Sequence, residues 1–197
     1  MTKGLVCAIQ RRMMKMMLDR RGAALFFLAA FFALARPARA EEGENVRVTV
    51  DKKSREAAFS RQEDGGFRLL FYSGACWYSL NFGRDSGDVL QKAAQSYSVQ
   101  FEKHKLKKGK PSTMRAYGSL PVLLDWGTTA QSLDRQAPSA ADIGYVFDNN
   151  SPYFSILVQN AKNTRQQDTP ALEESGPVLI LFTKSQLQGL LEAIFAR

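Results

Sequence analysis

Val46, Val48 and Val50 alternate with Arg47, Thr49 and Asp51, and the same two-residue period returns in Cys76-Trp-Tyr-Ser-Leu-Asn-Phe82. A period of two sends successive side chains to opposite faces, so both stretches specify half-buried β-strands. In the second, Cys76, Tyr78, Leu80 and Phe82 form the core face, while Trp77, Ser79 and Asn81 point the other way. Turn signals separate such segments: Asp64-Gly-Gly66 leads into Phe67–Ser73 as a hairpin, Ser73-Gly-Ala75 precedes Cys76, and Asp148-Asn-Asn-Ser-Pro152 links Gly144–Phe147 to Tyr153–Val158. Thr113–Leu120 and Pro121–Trp126 read as two further extended segments, and the continuous apolar run Val178–Phe182 suits the centre of a sheet.

Two helices interrupt this pattern. Asp85 or Ser86 can cap a helix near 86–96, in which Val89, Leu90, Ala93, Ala94 and Tyr97 follow helical spacing. Beyond it Tyr97, Val99 and Phe101 alternate and read as a return to strand, although Ala93, Tyr97 and Phe101 also fit a continued helix. At the end of the chain, Thr183-Lys-Ser-Gln186 has the form of a capping box, and Leu187, Leu190, Leu191, Ile194 and Phe195 make an apolar stripe that must lie on the sheet. Thr128–Asp142, polar and alanine-rich, reads as a surface connection, and 161–176 as a long mobile loop. The expected fold class is α+β: a mainly antiparallel sheet, arranged as a sandwich or strongly curved sheet, with the C-terminal helix packed across it.

The segment Gly22–Ala35 is apolar over fourteen residues, whereas a helix crossing the roughly 30 Å bilayer core needs about 20. Arg11, Arg12, Lys15, Arg20 and Arg21 precede it, and Pro37-Ala-Arg-Ala40 follows with alanines at the two small-residue positions of a cleavage site. Residues 1–40 therefore read as a signal peptide, with a possible true start near Met17, and 41–197 as a single exported domain. The competing reading is a retained N-terminal anchor. Export places the domain in the periplasm or extracellular space of a bacterial envelope.

Removing the leader changes the charge. The whole chain has 27 basic and 19 acidic side chains, but residues 41–197 hold 19 and 18. The high pI belongs to the leader, so the electrostatic case for a nucleic-acid partner falls away. The remaining 157 residues are enough for one core without disulfides or metal. Cys76 is the only cysteine left, and reads as a small buried hydrophobe in preference to a partner in an intermolecular disulfide.

Few residues point to catalysis. His104 is the only histidine and lies between Lys103 and Lys105, whose charges oppose its protonation. One histidine and one cysteine leave no metal set, and no motif implies a cofactor. Asp85, Asp88, Glu102 and Asp125 are the carboxylates from which a hydrolytic pair would have to come.

Two features suit binding. Lys103, Lys105, Lys107, Lys108 and Lys110 form an electrostatic handle for an anionic envelope component, for lipid head groups at a peripheral membrane contact, or for an acidic protein. Tyr72, Trp77, Tyr117 and Trp126, with Arg68 and Asn81 as polar neighbours, form an aromatic set able to stack sugars or anchor a protein. The expected function is non-enzymatic: an exported protein acting by binding or assembly. A hydrolase of envelope polymers would instead need two carboxylates converging in a cleft, and a structural subunit of an envelope complex a contiguous exposed apolar patch.

Overall fold

The structure, a computed structural model, describes residues 44–109, 113–130, 133, 136–162 and 173–196. Eight strands follow one another around a closed antiparallel barrel: β1 (Glu44–Val50), β2 (Lys53–Arg61), β3 (Phe67–Ser73), β4 (Cys76–Phe82), β5 (Arg115–Gly127), β6 (Ala137–Asp148), β7 (Ser151–Val158) and β8 (Val178–Phe182). Each pairs with the next, and β1 returns to β8 through Thr49↔Leu181 and Val50↔Ile180. Helix α1 (Ser86–Glu102) lies between β4 and β5, and α2 (Lys184–Phe195) follows β8.

Closure resolves the expected sandwich or curved sheet into a barrel. Three tight turns have two successive residues in the left-handed region, as two-residue hairpins require: Asp51-Lys52, Gly74-Ala75 and Asn149-Asn150. Pairs across the sheet keep one face inside all the way round: Val46↔Ala57, Phe59↔Leu69, Leu69↔Leu80, Leu80↔Leu124, Leu120↔Ala141, Ile143↔Ile156 and Ile156↔Ile180. All these side chains are at most 5% exposed and belong to one continuous cluster. Eight strands leave room for side chains to fill the interior, and here apolar groups fill it. Charges such as Arg47, Glu56, Arg68 and Asp142 stand on the outer face. This is the reverse of the apolar outer band a membrane-spanning barrel requires. Among the described residues, no helix is long and apolar enough to cross a membrane.

Several expectations are corrected. The chain does not return to strand at Tyr97: α1 runs to Glu102, with Tyr97 1% exposed against Phe154 and Tyr145. The continuation succeeds because Leu90, Ala93, Ala94 and Tyr97 keep one buried face. Lys53–Arg61 is a full strand, and the two segments at 113–126 are one strand, bulged between Ala116 and Gly118. The connection expected over 128–142 gives way at Ala137 to β6, whose Ala137 and Ala141 face the larger Leu124 and Leu120. Residues 163–172 of the expected loop lie outside the described residues. Its two ends are joined, Ala161 N donating to Ser175 Oγ at 2.9 Å and Ser175 N to Ala161 O at 3.1 Å.

Odd-numbered strands start, and even-numbered ones finish, at the end of the barrel where both helices lie. Helix α2 begins with the expected capping box: Gln186 N donates to Thr183 Oγ1 at 3.3 Å, and Thr183 N donates to Gln186 Oε1 at 2.9 Å. Leu187, Leu190 and Ala193 form its buried face, while Phe195, expected in the stripe, is 41% exposed. The helix contacts β1, β7 and β8, and so spans the short seam that closes the barrel. Arg61 secures its far end, donating from Nε at 3.3 Å and Nη2 at 2.9 Å to Ala193 O, where a cation complements the helix dipole.

Candidate functional site: a polar cleft on the outer sheet face

Because the interior is packed, the groups free to meet a ligand are on the outer wall and at the ends. On β3, β4 and β5 the outward residues form rows across the strands. Tyr72 lies beside Trp77, Leu70 beside Ser79 and Asp125, and Arg68 beside Asn81 and Leu123. An outward row on a solvated sheet is normally exposed, yet Ser79 is 0% and Asp125 3% exposed.

These buried polar groups satisfy one another. Arg68 Nε donates to Ser79 Oγ at 2.7 Å. Asn81 Nδ2 donates to Asp125 Oδ2 at 3.2 Å, and Gln62 Nε2 donates to Asn81 Oδ1 at 3.0 Å. The second carboxylate oxygen of Asp125 accepts from Gln136 N, which brings the end of the β5–β6 connection over the network. Each link fixes a side chain that would otherwise be free to rotate, so the surface is preorganised.

The network floors a cleft of about 490 Å³, whose lining includes Arg61, Gln62, Glu63, Asp64, Leu133 and Gln136. A smaller recess of about 270 Å³ shares Gln62, Asp64 and Asn81 and runs on to Pro121, Leu123 and Pro138. One half of the groove is thus polar and the other apolar. Two guanidinium groups, Arg61 and Arg68, face three carboxylates, Glu63, Asp64 and Asp125. The groups are also engaged: Arg61 with α2, Arg68 with Ser79, Asp64 with Gly66 N at 2.8 Å, and Asp125 through both oxygens. Such a surface offers hydrogen bonds without a dominant charge.

The structure brings four members of the expected aromatic and polar set to this face. Trp77 and Tyr72 meet in a tilted contact with centroids 5.5 Å apart at 57°, Tyr72 being 43% exposed. They lie two residues, about 7 Å, along their strands from the row of Ser79, and four residues from the row of Arg68 and Asn81. Arg68 and Asn81 are within it. The other two aromatics are elsewhere. Trp126 is 1% exposed in the barrel interior opposite Tyr78, and Tyr117 stacks on Tyr145 at 5.8 Å beside α1. Ser79, Gln62 and Gln136 were missed. The available signal was the polar outward register of Ser79 and Asp125 between apolar neighbours.

The lysines form a separate surface at the helical end. Lys103, Lys105, Lys107 and Lys108 are exposed after α1, and Lys110 lies outside the described residues. Of the carboxylates considered for hydrolysis, Asp85, Asp88 and Glu102 belong to α1 and its cap, and only Asp125 lines the cleft. Glu102 pairs with Lys184 at 2.9 Å, which lowers its pKa. Cys76 is a half-buried free thiol at the opposite mouth of the barrel. Near it the Tyr78 hydroxyl, its pKa raised by burial and then by Cys76 and Asp51, donates to Ser175 O at 3.4 Å. No group of three His, Cys, Asp or Glu among the described residues is arranged to hold a metal ion. The large exposed apolar side chains Tyr72, Val99, Leu123, Leu179 and Phe195 stand on five different elements.

A family model described as "Uncharacterised Treponema protein" matches residues 23–196, from inside the apolar run to the end of α2. No curated protein and no solved structure matches the chain.

Proposed function

The chain belongs to this family of uncharacterised Treponema proteins, and we propose that it is an exported, non-enzymatic binding protein whose outer face on β2–β5 receives a polar, uncharged ligand, namely a glycan of the cell envelope. The observation that carries this reading is the buried Ser79–Asn81–Asp125 network beside the Tyr72–Trp77 pair. Sugars present hydroxyls to amide, carboxylate and guanidinium groups and an apolar face to aromatic rings, and this wall carries the polar groups in the cleft and the aromatic pair farther along the same strands. Its balanced charge disfavours a strongly anionic or cationic ligand. Export is supported by the cations before the fourteen-residue apolar run and the alanines after it. The family match begins at residue 23, inside that run.

The test is co-sedimentation of the chain from Glu41 with insoluble envelope glycan, and titration with its soluble fragments. Trp77→Ala and Asn81→Ala each weaken binding by about tenfold, the loss of one stacking or buried hydrogen-bonding group, with unchanged circular dichroism. No binding by the wild-type domain, or binding by both variants as tight as that of the wild type, refutes the assignment. Export is tested separately by envelope fractionation, with a mature N-terminus at Glu41 as the expected result.

A further inference from the structure

A second surface, at the helical end, has a different chemistry. Helix α1 closes with two hydrogen bonds of a Schellman turn: Lys105 N donates to Gln100 O at 2.8 Å, and His104 N to Phe101 O at 3.1 Å, with His104 in the left-handed region at φ 50°. The chain then returns to the barrel, where Lys107 N donates to the Tyr145 hydroxyl at 3.3 Å and Leu106 packs against the core. The lysine segment is therefore held on both sides. Its backbone is fixed, and its side chains project into solvent.

These charges are not neutralised internally. Among the described residues, Lys103, Lys105 and Lys107 make no ion pair, and Lys108 contacts only the amide oxygen of Asn150. Arg115 extends the patch, its guanidinium lying by Gly109. The neighbouring carboxylates are Glu102, engaged by Lys184, and Asp148. One turn before Lys103 on the same face of α1 stands Val99, 50% exposed. The chain also enters the barrel at this end, through Glu44 beside α2.

We propose that this end is a peripheral docking surface for an anionic lipid bilayer, with the lysines and Arg115 at the head groups and Val99 entering the interface. The mixture of cations with an exposed aliphatic group favours a bilayer over a soluble polyanion, which would use the charges and gain nothing from Val99. A cation close to an anionic surface strengthens partitioning about fivefold. Five such residues, Lys103, Lys105, Lys107, Lys108 and Arg115, give a reversible, salt-sensitive attachment and leave the groove on the barrel wall open.

Among the described residues the buried core cluster runs from Val46 to Ala193, and the chain from Glu41 contains that cluster and is the form to test. It is sedimented with phosphatidylcholine vesicles and with vesicles holding one third phosphatidylglycerol, at low and high salt. The expected result is binding to the anionic vesicles alone, lost at high salt. Replacing Lys103, Lys105, Lys107 and Lys108 by Gln reduces binding more than tenfold, and replacing them by Arg retains it. Val99→Ser lowers vesicle binding about fivefold and leaves retention on soluble heparin unchanged. Equal binding to both vesicle types, no effect of the Gln variant, or binding to heparin without binding to vesicles overturns the proposal. Thermal unfolding of each variant near the wild-type midpoint separates lost docking from lost structure.

Discussion

Gly144 tests the register on which the barrel rests. It lies on β6 opposite Ala116, next to the bulge where β5 inserts an extra residue, Tyr117. A Cβ added there would stand 2.0 Å from the carbonyl oxygen of Arg115, 2.7 Å from its carbon and 2.8 Å from Cα of Ala116. All three are backbone atoms, so no side chain can swing away and the strands themselves must separate by about 1 Å. Overpacking a well-packed site costs about 1–3 kcal/mol, and backbone neighbours put Gly144→Ala at the upper end, near 3 kcal/mol. Gly118, on the facing strand beyond the bulge, supplies the control, because a Cβ there meets nothing within 4 Å. Gly118→Ala restricts the unfolded chain without strain and stabilises by about 0.5 kcal/mol. The two substitutions, identical in chemistry and on facing strands, should therefore differ by about 3.5 kcal/mol in urea unfolding, read from the midpoints at equal m-value. A difference below about 1 kcal/mol would refute the close approach and the bulge register.

Trp126→Ala should cost about 3–5 kcal/mol, as for a large core side chain, while Trp77→Ala costs about 1 kcal/mol, the worth of its ring contact with Tyr72; the same urea titrations decide between them. Arg61→Gln removes two charge-assisted bonds to Ala193 O and should destabilise by about 2 kcal/mol, with faster hydrogen exchange in α2 as the specific sign. Burial pushes the Tyr97 hydroxyl up from 10.0 to about 12. The folded state therefore holds this proton more tightly than the unfolded chain, and the associated stability is complete below pH 10 and disappears as pH rises to 12. Tyr97→Phe should flatten that alkaline decline by about 1.4 kcal/mol per pH unit, measured by unfolding at pH 9, 10 and 11.

How much of this was legible depended on where each strand lay in the barrel. β1 and β4 showed their period because their inward positions are large and apolar from end to end. β2 did not, since its alternate positions are Arg55, Ala57, Phe59 and Arg61: only the middle two are in the core, while Arg55 is half-buried and Arg61 exposed. β6 was obscured by small residues, Ala137 and Ala141, which fit because Leu124 and Leu120 fill the space opposite. Closure itself depends on two residue pairs between the first and last strands, a contact too distant in sequence for any local pattern to encode. Of the candidate wall, Trp77, Asn81, Arg68 and Tyr72 could be recognised as one strand's outward row and its neighbours. The burial of Ser79 and Asp125 could not, because it depends on the β5–β6 connection bringing Gln136 over them.

That burial is also the strongest physical reason to look for a ligand on this wall. A barrel with this interior is already closed by its apolar layers, and an outer row needs only solvent-tolerant residues. Instead a carboxylate 3% exposed is held by donors from two parts of the chain: Asn81, itself oriented by Gln62, and the backbone of Gln136. Well-packed apolar side chains would serve stability at least as well as a buried carboxyl group whose desolvation must be offset bond by bond. What the network adds is position, with the Asn81 amide and Arg68 fixed at the floor of an open cleft and an aromatic pair farther along the same strands. Substituting Asp125 by Asn makes the distinction measurable. If the network serves only the fold, the amide, which keeps the shape, changes stability and nothing else. If it serves recognition, the loss of one acceptor releases Asn81 and weakens ligand binding by more than the change in stability accounts for.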